Sequence, residues 1–403
     1  MTTVTSLVDQ WNIHPHHTWL RGERPEQPVV FNEQAQMWNV YGYDEVQEIL
    51  TNPMTFSSDT TGLLSVEVDA SLMEGNIMLT DPPGHTRLRK LVSNAFTPKV
   101  VADLEPKIVR LANELLDQVQ GQDRIELVSA LAYPLPIIVI AELLGVPASD
   151  RDLFRGWVEA AMENSIEMIK TERGEEEDRA YEEQMDKTNK LLDYLRGHVA
   201  ERRKSPREDL LSRLVQVEAG GEGKRLSDNE IVNFAYILLV AGHITTTMLI
   251  GNTVLCLDAH PEQDALVRAD RSRLPGVIEE SLRFLSPFTL ALRGATEEVE
   301  IAGQRISPGK MIMVWMSAAN RDPRRFERPD VFDPTRAPNP HLGFGRGVHF
   351  CLGAPLARLE GRLVMDILLD RFPVLRTDPA TPPSFLQADH MTGAKHLPLI
   401  TTA

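Results

Sequence analysis

Short β-prone runs lie near the start of the chain, at 29–31 and 37–41, and again at 299–316. Gly303 and the turn Pro308-Gly309 divide the last run into separate strands. Between these runs the apolar residues mostly recur at helical spacing. The pattern predicts a mainly α fold with a smaller β portion.

The clearest helix begins at Ser227, where Ser-Asp-Asn-Glu has the S-x-x-E form of a capping box. It continues to Ala259 because Pro261 stops it, and at about 1.5 Å per residue it is about 48 Å long. In its middle, AGHITTT at 241–247 places glycine and threonine where helix propensity favours alanine or leucine. Threonine hydroxyls that bond to carbonyls one turn earlier bend a helix. The tract therefore either opens a small polar groove or is tolerated by packing.

A second helix is predicted after the glycine-rich segment GFGRGVHFCLG at 343–353. Leucine and isoleucine recur there at spacings of three and four: Leu356, Leu359, Leu363 and Ile367. Cys351 therefore lies just before a helix N-terminus, where unpaired N–H groups and the helix dipole stabilise a thiolate. Gly345, Gly347 and Gly353 let the backbone pass close to a flat ligand.

Composition and charge narrow the class of protein. The chain has 403 residues and a formal net charge of −16, and no linker or internal repeat divides it, so we expect one domain over 1–403. Nucleic acid and anionic membranes require a basic face and are not expected as general partners. The segment MTTVTSLVDQW lacks the features of a secretory signal, and Pro134 and Pro136 break the apolar run at 131–145. We therefore expect a cytoplasmic protein without a membrane anchor.

The chain has two cysteines, Cys256 and Cys351. Cys256 lies in the apolar run IGNTVLCLDA and is predicted to be a small buried hydrophobic residue. For Cys351, a zinc site needs further ligands that no nearby cysteine supplies. A nucleophile needs a base and an orienting group, of which the sequence shows only the base, His349. A buried cysteine that caps a helix leaves the glycines unexplained, whereas a single thiolate suits haem iron, because the porphyrin fills four of its positions.

The segment from Phe344 to Gly353 matches every fixed position of F-G-x-G-x-H-x-C-x-G. It resembles the haem-binding loop of the cytochrome P-450 family, soluble bacterial type. The resemblance implies the cytochrome P-450 fold, with haem b (iron protoporphyrin IX) between a long central helix and the helix after the cysteine loop. It makes Cys351 the iron ligand, and Phe344, Gly345 and Gly353 cofactor-binding residues.

Two sets of charged residues also match family motifs. The segment 81–89 is similar to D-P-P-x-H-x-x-x-R. The resemblance implies four cofactor-binding residues that contact haem propionates: His85, Arg89, Arg293 and His349. The segment 280–283 is similar to E-x-x-R, and 332–336 resembles the segment whose arginine completes an ion-paired triad. The implied triad is structural, and a buried group of this kind needs further hydrogen bonds to be tolerated: Glu280, Arg283 and Arg336.

The middle of the long helix resembles the family's oxygen-binding segment, A-G-x-(D/E)-T-T. The resemblance implies four catalytic residues on the oxygen side: Ala241, Gly242, Thr245 and Thr246. The departure is Ile244, which stands where the family carries an acid. Proton delivery is therefore expected to depend on Thr245 and on ordered water, because an alkyl side chain cannot relay a proton.

The resemblance implies a haem-thiolate monooxygenase that inserts one oxygen atom from O2 into a mostly apolar, lipophilic small molecule, by hydroxylation or epoxidation. It also implies five substrate-pocket residues: Ile244, Phe288, Leu290, Leu292 and Met391. A peroxide-driven peroxygenase and a haem-based ligand-binding or sensor protein are the alternatives. Peroxygenases of the family usually carry an Arg-Pro pair in the oxygen-side helix, and none occurs at 227–259.

Electrons are expected from other proteins. No Gly-rich dinucleotide fingerprint follows a strand, and no second domain remains for flavin. The family expectation is a ferredoxin or flavodoxin with its NAD(P)H-dependent reductase, and we expect a monomer. Despite the net charge of −16, five basic residues are predicted to receive the acidic electron donor: Arg87, Lys90, Arg346, Arg358 and Arg362.

Overall fold

Helices make up about 52% of the protein and strands a smaller part, which confirms the predicted fold class. The computed structural model describes residues 8, 11–63, 73–150, 153–154, 156–157, 175–219 and 224–402. The α-helices in these residues are Tyr43–Thr51, Gly84–Ala95, Pro98–Ala102, Glu105–Asp117, Pro134–Leu144, Glu175–Lys204, Leu210–Gln216, Asp228–Ala259, Pro261–Ala269, Leu274–Phe284, Met316–Ala319 and Ala354–Arg371. Short 3₁₀ turns are Thr18–Arg21, Thr61–Leu63, Ala148–Asp150, Arg271–Arg273 and Gly347–His349, and a π-helix is Val128–Ala132.

The strands of the described residues form one five-stranded sheet, one three-stranded sheet and three two-stranded pairs. The five-stranded sheet has the spatial order Val29–Asn32, Met37–Val40, Met311–Val314, Ala291–Ala295 and Phe56–Ser57. The three-stranded sheet has the order Arg376–Thr377, Pro398–Ile400 and Arg124–Glu126. The pairs are Glu218–Ala219 with Lys224–Arg225, Val299–Ile301 with Gln304–Ile306, and Ser384–Phe385 with Ala394–His396.

The five-stranded sheet contains three strands that the sequence predicts and two that it does not, Ala291–Ala295 and Phe56–Ser57. The runs near 29–31 and 37–41 form its first two strands, and the end of the 299–316 run forms the third. Met311–Val314 pairs in parallel with Met37–Val40 and antiparallel with Ala291–Ala295. The strand Ala291–Ala295 was missed, since arginine and glycine interrupt its apolar pattern.

The chain divides into two compact units. The first consists of Met1–Ser57, Val101–Pro136 and Thr245–Ala403, and the second of Ser58–Val100 and Ile137–Ile244. The five-stranded sheet and the residues around Cys351 belong to the first unit. The single domain expected over 1–403 stays a prediction.

The long helix, Asp228–Ala259, begins and ends where the sequence predicts. Ser227 Oγ accepts a hydrogen bond from the N–H of Glu230 at 3.0 Å, and Glu230 Oε2 accepts one from the N–H of Ser227 at 2.8 Å, which is the predicted capping box. Helical structure is continuous through 241–247. Within the described residues this helix alone is long and apolar enough to cross a membrane, with a mean hydropathy of 1.7 over its most apolar window. However, 56% of that window is buried inside the protein, as in the core helix of a soluble protein.

The helix that follows Cys351, Ala354–Arg371, also begins where it is predicted. Of the four residues with the predicted leucine spacing, Leu356 and Leu363 are buried. Leu359 and Ile367 are only half-buried. The buried face also includes Val364 and Leu368. The helix therefore buries a broader and differently centred face than the leucine spacing indicates.

Candidate functional site

The cysteine loop, residues 343–353, positions Cys351 at the start of a helix. The N–H of Cys351 donates a hydrogen bond to the carbonyl oxygen of Phe344 at 2.9 Å. The side chain of Cys351 is half-buried and forms no disulfide. Because the helix Ala354–Arg371 begins three residues later, its N-terminal dipole favours the thiolate form of this cysteine.

Two glycines of the cysteine loop have left-handed backbone conformations, with φ of 68° at Gly345 and 71° at Gly347. A side chain at Gly347 would collide with the carbonyl oxygen of Leu50, so packing within the protein already requires glycine there. At Gly345 the atom nearest to an added Cβ is the carbonyl oxygen of His349, 3.9 Å away. Gly345 therefore fits the predicted close approach of a flat ligand, whereas Gly347 has a cause inside the protein. An added Cβ at Gly353 would lie 3.9 Å from Cys351 Sγ, where a larger side chain would begin to cover the sulfur.

An ion-pair network lies beside the cysteine loop and stabilises it. The sequence alone does not reveal this network. Arg358 donates two hydrogen bonds to Glu279, at 2.6 and 2.8 Å, and His341 Nε2 lies 3.0 Å from the same carboxylate. Burial alone would raise the pKa of Glu279, but the hydrogen bonds from Arg358 and His341 lower it to about 2. The guanidinium of Arg358 lies 4.6 Å from the centre of the Phe344 ring. Hydrogen bonding to Glu279 is the main cause that raises the pKa of Arg358, and negative charge on Cys351 adds to it. Arg358 in turn stabilises a thiolate at Cys351.

The donor chemistry at Cys351 fits haem iron. Among the described residues, one group of three side chains is close enough to hold a metal ion, His14 with His16 and Asp389, and Cys351 is not part of it. The other cysteine, Cys256, is fully buried, and burial raises the pKa of its thiol to about 12. A half-buried thiolate as the only protein ligand suits iron held in a porphyrin and does not suit zinc, which needs three or four ligands.

The structure places the three residues of the implied triad in contact. Arg283 donates to Glu280 at 2.7 and 2.9 Å, and the Nε of Arg336 lies 3.4 Å from the same carboxylate. Glu280 and Arg283 are each 1% exposed. Arg283 also donates to the carbonyl oxygens of Asn320, Pro329 and Val331, at 2.9, 2.8 and 3.0 Å. These additional bonds satisfy the remaining donors, which is the condition for tolerating a buried ion pair.

Predicted pocket residues of the first unit meet beside the five-stranded sheet. Phe288 and Met391 pair across an isolated antiparallel bridge, although 103 positions separate them in the numbering. Leu290 and Met391 are buried, while Phe288 and Leu292 are half-buried. The structure therefore brings Phe288 and Met391 together. It places Leu290 directly before the strand Ala291–Ala295 and Leu292 within that strand.

The four predicted propionate residues divide between the two units. Arg293 is buried in the first unit, with its Nη1 donating to its neighbour's carbonyl oxygen at 2.7 Å. His349 is half-buried and ends a 3₁₀ turn of the cysteine loop. His85 and Arg89 belong to the second unit and lie one turn apart on one face of the helix Gly84–Ala95. Burial is the main cause that lowers the pKa of His85, and the charge of Arg89 lowers it further.

The predicted oxygen-side residues lie where the long helix becomes accessible. The helix is buried at 231–235 and again at 246–257. Between these stretches four predicted residues are exposed or half-buried: Ala241, Gly242, Ile244 and Thr245. Thr246 is buried, with 5% exposed. An accessible stretch in the middle of a buried helix is what a ligand-facing surface requires.

Gly242 also has a packing role within the second unit. An added Cβ there would lie 2.9 Å from the Cδ1 atom of Ile140, closer than carbon atoms ordinarily approach. The missing side chain therefore makes room for Ile140. This contact accounts for the glycine without any ligand, so Gly242 alone does not identify an oxygen-binding surface.

Comparisons with known proteins converge on one family. The family model described as Cytochrome P450 matches residues 158–398. The solved structure of HmtT, involved in himastatin biosynthesis, is 56% identical, has a TM-score of 0.91, and the match covers 100% of each chain. Cyclomarin C epoxidase CymV of Salinispora arenicola is 40% identical over 358 residues, 88% of each chain. Erythromycin C-12 hydroxylase of Saccharopolyspora erythraea is 40% identical over 403 residues, which cover 99% of this chain and 98% of the relative.

Proposed function

Because this chain belongs to the cytochrome P450 family and is a monooxygenase, we propose that it hydroxylates or epoxidises a mostly apolar small molecule, with Cys351 as the residue that would hold the iron of haem b. The observation that carries the proposal is the half-buried thiol of Cys351 at a helix N-terminus, braced by Arg358 and Glu279. Bound haem supplies the iron that activates O2, and a thiolate ligand favours cleavage of the O–O bond.

The remaining cofactor-binding residues either surround the sulfur of Cys351 or pair with the carboxylates of haem. Phe344, Gly345 and Gly353 frame the sulfur, and the open side of Gly345 supports this role. Four residues provide charge-assisted donors to the carboxylates of haem, a role that the burial of His85 and Arg293 supports: His85, Arg89, Arg293 and His349. A buried dianion needs such donors, because an uncompensated charge is costly away from water.

On the oxygen side, Thr245 holds a proton or a water molecule at its hydroxyl oxygen. Its half-buried position in the accessible stretch of the long helix supports this role. Thr246, which is buried, is a second hydroxyl one residue away. Ala241 keeps the helix surface small there, Gly242 leaves room for Ile140, and Ile244 contributes apolar surface where the family carries an acid.

The substrate is proposed to be mostly apolar. Five residues line its pocket in this proposal: Ile244, Phe288, Leu290, Leu292 and Met391. All are apolar, and the bridge between Phe288 and Met391 supports a common surface for two of them. The names of two relatives, an epoxidase and a hydroxylase, support insertion of a single oxygen atom as the reaction.

The electron donor is proposed to be a ferredoxin or flavodoxin that is reduced by an NAD(P)H-dependent reductase in the cytoplasm. The cysteine loop exposes one cation and two apolar side chains, Arg346, Val348 and Phe350, with 37% and 39% of the last two exposed. An exposed apolar centre with a basic rim is suited to an acidic protein partner.

Three of the five predicted basic residues have acidic partners within their own unit: Arg87 with Glu230, Arg358 with Glu279 and Arg362 with Glu105. Arg346 and Lys90 are exposed. The paired arginines present less net positive charge to an approaching protein. We therefore propose that Arg346 is the residue of the cysteine loop that attracts the acidic electron donor.

The thiolate assignment is tested by the spectrum of the ferrous carbonyl complex. The parent should show the red-shifted Soret band of a thiolate haem, and Cys351→His should lose it while haem stays bound. Cys256→Ala is the matched control and should keep the band, because its thiol is buried and protonated at neutral pH. A Soret band without the red shift in the parent would contradict the assignment. A red-shifted Soret band that persists in Cys351→His would contradict it as well.

The reaction is tested with lipophilic compounds that shift the haem from low to high spin. A compound that does so should be oxygenated only when O2, the electron donor and the reductase are all present. Product formed with hydrogen peroxide alone would instead indicate a peroxygenase. Spin shifts without product under either condition would indicate a ligand-binding or sensor protein.

A further inference from the structure

Three histidines near the start of the chain lie against a turn that is far away in sequence. They occur in the segment His14-Pro15-His16-His17, and the turn comprises residues 389–392. His14 Nδ1 lies 3.1 Å, and His16 Nδ1 lies 2.6 Å, from the same oxygen, Asp389 Oδ1. Both segments belong to the first unit. Two imidazole nitrogens and one carboxylate oxygen therefore converge on one point.

The spacing of these three atoms suits a metal ion. All three lie within 4.8 Å of one another. Ligands on one tetrahedral zinc ion are about 3.3 Å apart, given bonds of about 2.0–2.1 Å. Both distances to Asp389 Oδ1, 3.1 and 2.6 Å, are shorter than that value, so small side-chain rotations that move these atoms apart suffice to admit an ion.

Partial exposure leaves room for a solvent ligand. The side chains of His14, His16 and Asp389 are 22%, 66% and 38% exposed, respectively. A site with three protein ligands and one open position takes water as the fourth ligand. His14 also lies in edge contact with the His16 ring, with centroids 4.9 Å apart, so both rings are already directed to the same place.

The third histidine, His17, fixes the turn and is not a ligand. It is fully buried, its Nε2 donates to the carbonyl oxygen of Asp389 at 2.9 Å, and its Nδ1 lies 2.9 Å from the hydroxyl of Thr392. Both ring nitrogens are therefore occupied. Thr289 Oγ1 donates to the same carbonyl oxygen of Asp389. These bonds hold the Asp389 backbone, so its carboxylate is positioned before any ion arrives, as second-sphere contacts do in metal sites.

From this geometry we infer that His14, His16 and Asp389 bind a divalent transition-metal ion of the Zn²⁺ type, at a site separate from Cys351. Imidazole donors favour Zn²⁺ and its neighbours over Mg²⁺ and Ca²⁺, which prefer oxygen ligands. The ion links the segment 14–17 to the turn 389–392. Because Met391 in that turn pairs with Phe288, the ion also stiffens one side of the surface formed by these two residues.

The test is Zn²⁺ binding by the haem-loaded protein, prepared with no added histidine tag and stripped with a chelator. Calorimetric titration should give one strong Zn²⁺ site per chain and no comparable Mg²⁺ binding. His16→Ala and Asp389→Asn should each weaken Zn²⁺ binding about tenfold or more, since each removes a ligand. His396→Ala is the matched control, because His396 is exposed and lies outside the cluster, and it should bind Zn²⁺ like the parent.

A second measurement separates loss of the site from loss of the fold. Zn²⁺ should raise the midpoint of thermal unfolding of the parent and of His396→Ala, and a chelator should reverse the rise. His16→Ala should show the parent's midpoint in the presence of chelator but no rise with Zn²⁺. Equal Zn²⁺ affinity in the parent and His16→Ala, or no saturable Zn²⁺ binding in the parent, overturns the inference. The ferrous carbonyl spectrum should be the same in all variants, so the result does not depend on the haem assignment.

Discussion

Glu280 and Glu360 are buried carboxyl groups of the same unit with opposite surroundings. Each is 1% exposed. Glu280 accepts hydrogen bonds from Arg283 at 2.7 and 2.9 Å, from the N–H of Asp333 at 2.9 Å and from Asn339 at 3.1 Å. For Glu360, Oε2 has no hydrogen-bond partner among the described residues, and burial raises its pKa to about 8. One carboxyl group is surrounded by donors, and the other is buried with an oxygen atom that accepts no hydrogen bond from the described residues.

The difference shows that neighbours, not residue type, decide whether a buried carboxyl group carries charge. Two guanidinium groups, those of Arg283 and Arg336, compensate the charge of Glu280. No cation among the residues that the structure describes pairs with Glu360, and because burial raises its pKa to about 8, it keeps its proton at neutral pH. The ion-pair network beside the cysteine loop resembles the surroundings of Glu280, because hydrogen bonds from Arg358 and His341 keep Glu279 ionised.

Removing the charge of Glu280 should have the largest effect on stability. Glu280→Gln leaves Arg283, whose side chain is 0% exposed, without its main counter-charge. We expect the free energy of unfolding to fall by about 3–5 kcal/mol, as measured by urea denaturation. The control is Glu114→Gln, which breaks an exposed pair with Arg110 and should cost about 0.3–0.5 kcal/mol. Equal losses in both variants would mean that Glu280 is not structurally central.

The burial of Glu360 without a compensating charge predicts that stability depends on pH. An unfolded glutamate releases its proton near pH 4.3, whereas the pKa of folded Glu360 is raised to about 8. Between these values the folded state binds one proton more than the unfolded state. The stability contributed by protonated Glu360 is therefore complete at low pH and is lost as pH rises towards 8, by up to about 1.4 kcal/mol per pH unit.

Glu360→Gln keeps the size of the side chain and removes this titration. The free energy of unfolding of the variant, relative to that of the parent, should rise steadily from pH 5 to pH 8. Asp370→Asn, at an exposed position on the same helix, is the control and should not produce this trend. A difference between Glu360→Gln and the parent that stays constant across the pH range would contradict the assignment of a protonated Glu360.

The long helix extends the comparison to Ile244, a half-buried apolar residue at the position where the sequence motif predicts an acid. With Ile244 in that position, we propose that proton delivery depends on Thr245. Thr245→Ala should then lower product formed per NAD(P)H several-fold and raise hydrogen peroxide. Thr253→Ala, on the same helix, is the matched control, because the Thr253 hydroxyl donates to the carbonyl oxygen of Leu249 at 2.7 Å. Unchanged coupling in Thr245→Ala would mean that protons travel by another route, with His243 the next residue to test.

Local signals in the sequence were enough to predict several parts of the fold and of the site. The capping box of Ser227 and Glu230 spans four residues, and the structure contains both of its hydrogen bonds. The contact between Glu280 and Arg283 spans one helical turn. Cys351 precedes its helix as the leucine spacing indicates. In each case the interacting residues are close in sequence, so the pattern itself contains the geometry.

Interactions between distant segments were not predictable in this way. Glu279 is bound by Arg358, 79 positions later, and the carbonyl oxygen of Leu50 explains Gly347. The spacing of Leu356 and Leu363 places Glu360 on the leucine side of its helix, but it does not specify which neighbours bury the carboxyl group. No local pattern specifies which face of a helix meets which neighbour, and the charge state of Glu360 depends on that outcome. The roles of the predicted site residues toward haem and substrate stay predictions.

The smallest effect is expected where charge is exposed rather than buried, at Arg346 in the cysteine loop. Arg346→Glu reverses a charge beside the exposed Val348 and Phe350, so reduction by an acidic ferredoxin should slow about two- to threefold at low salt. The slowing should disappear at high salt, because exposed charges are screened there. Arg305→Glu changes the net charge equally at a 71% exposed side chain on another part of the surface, and it should leave the rate near that of the parent. If stopped-flow reduction slows equally in both variants, net charge and not the cysteine loop attracts the donor.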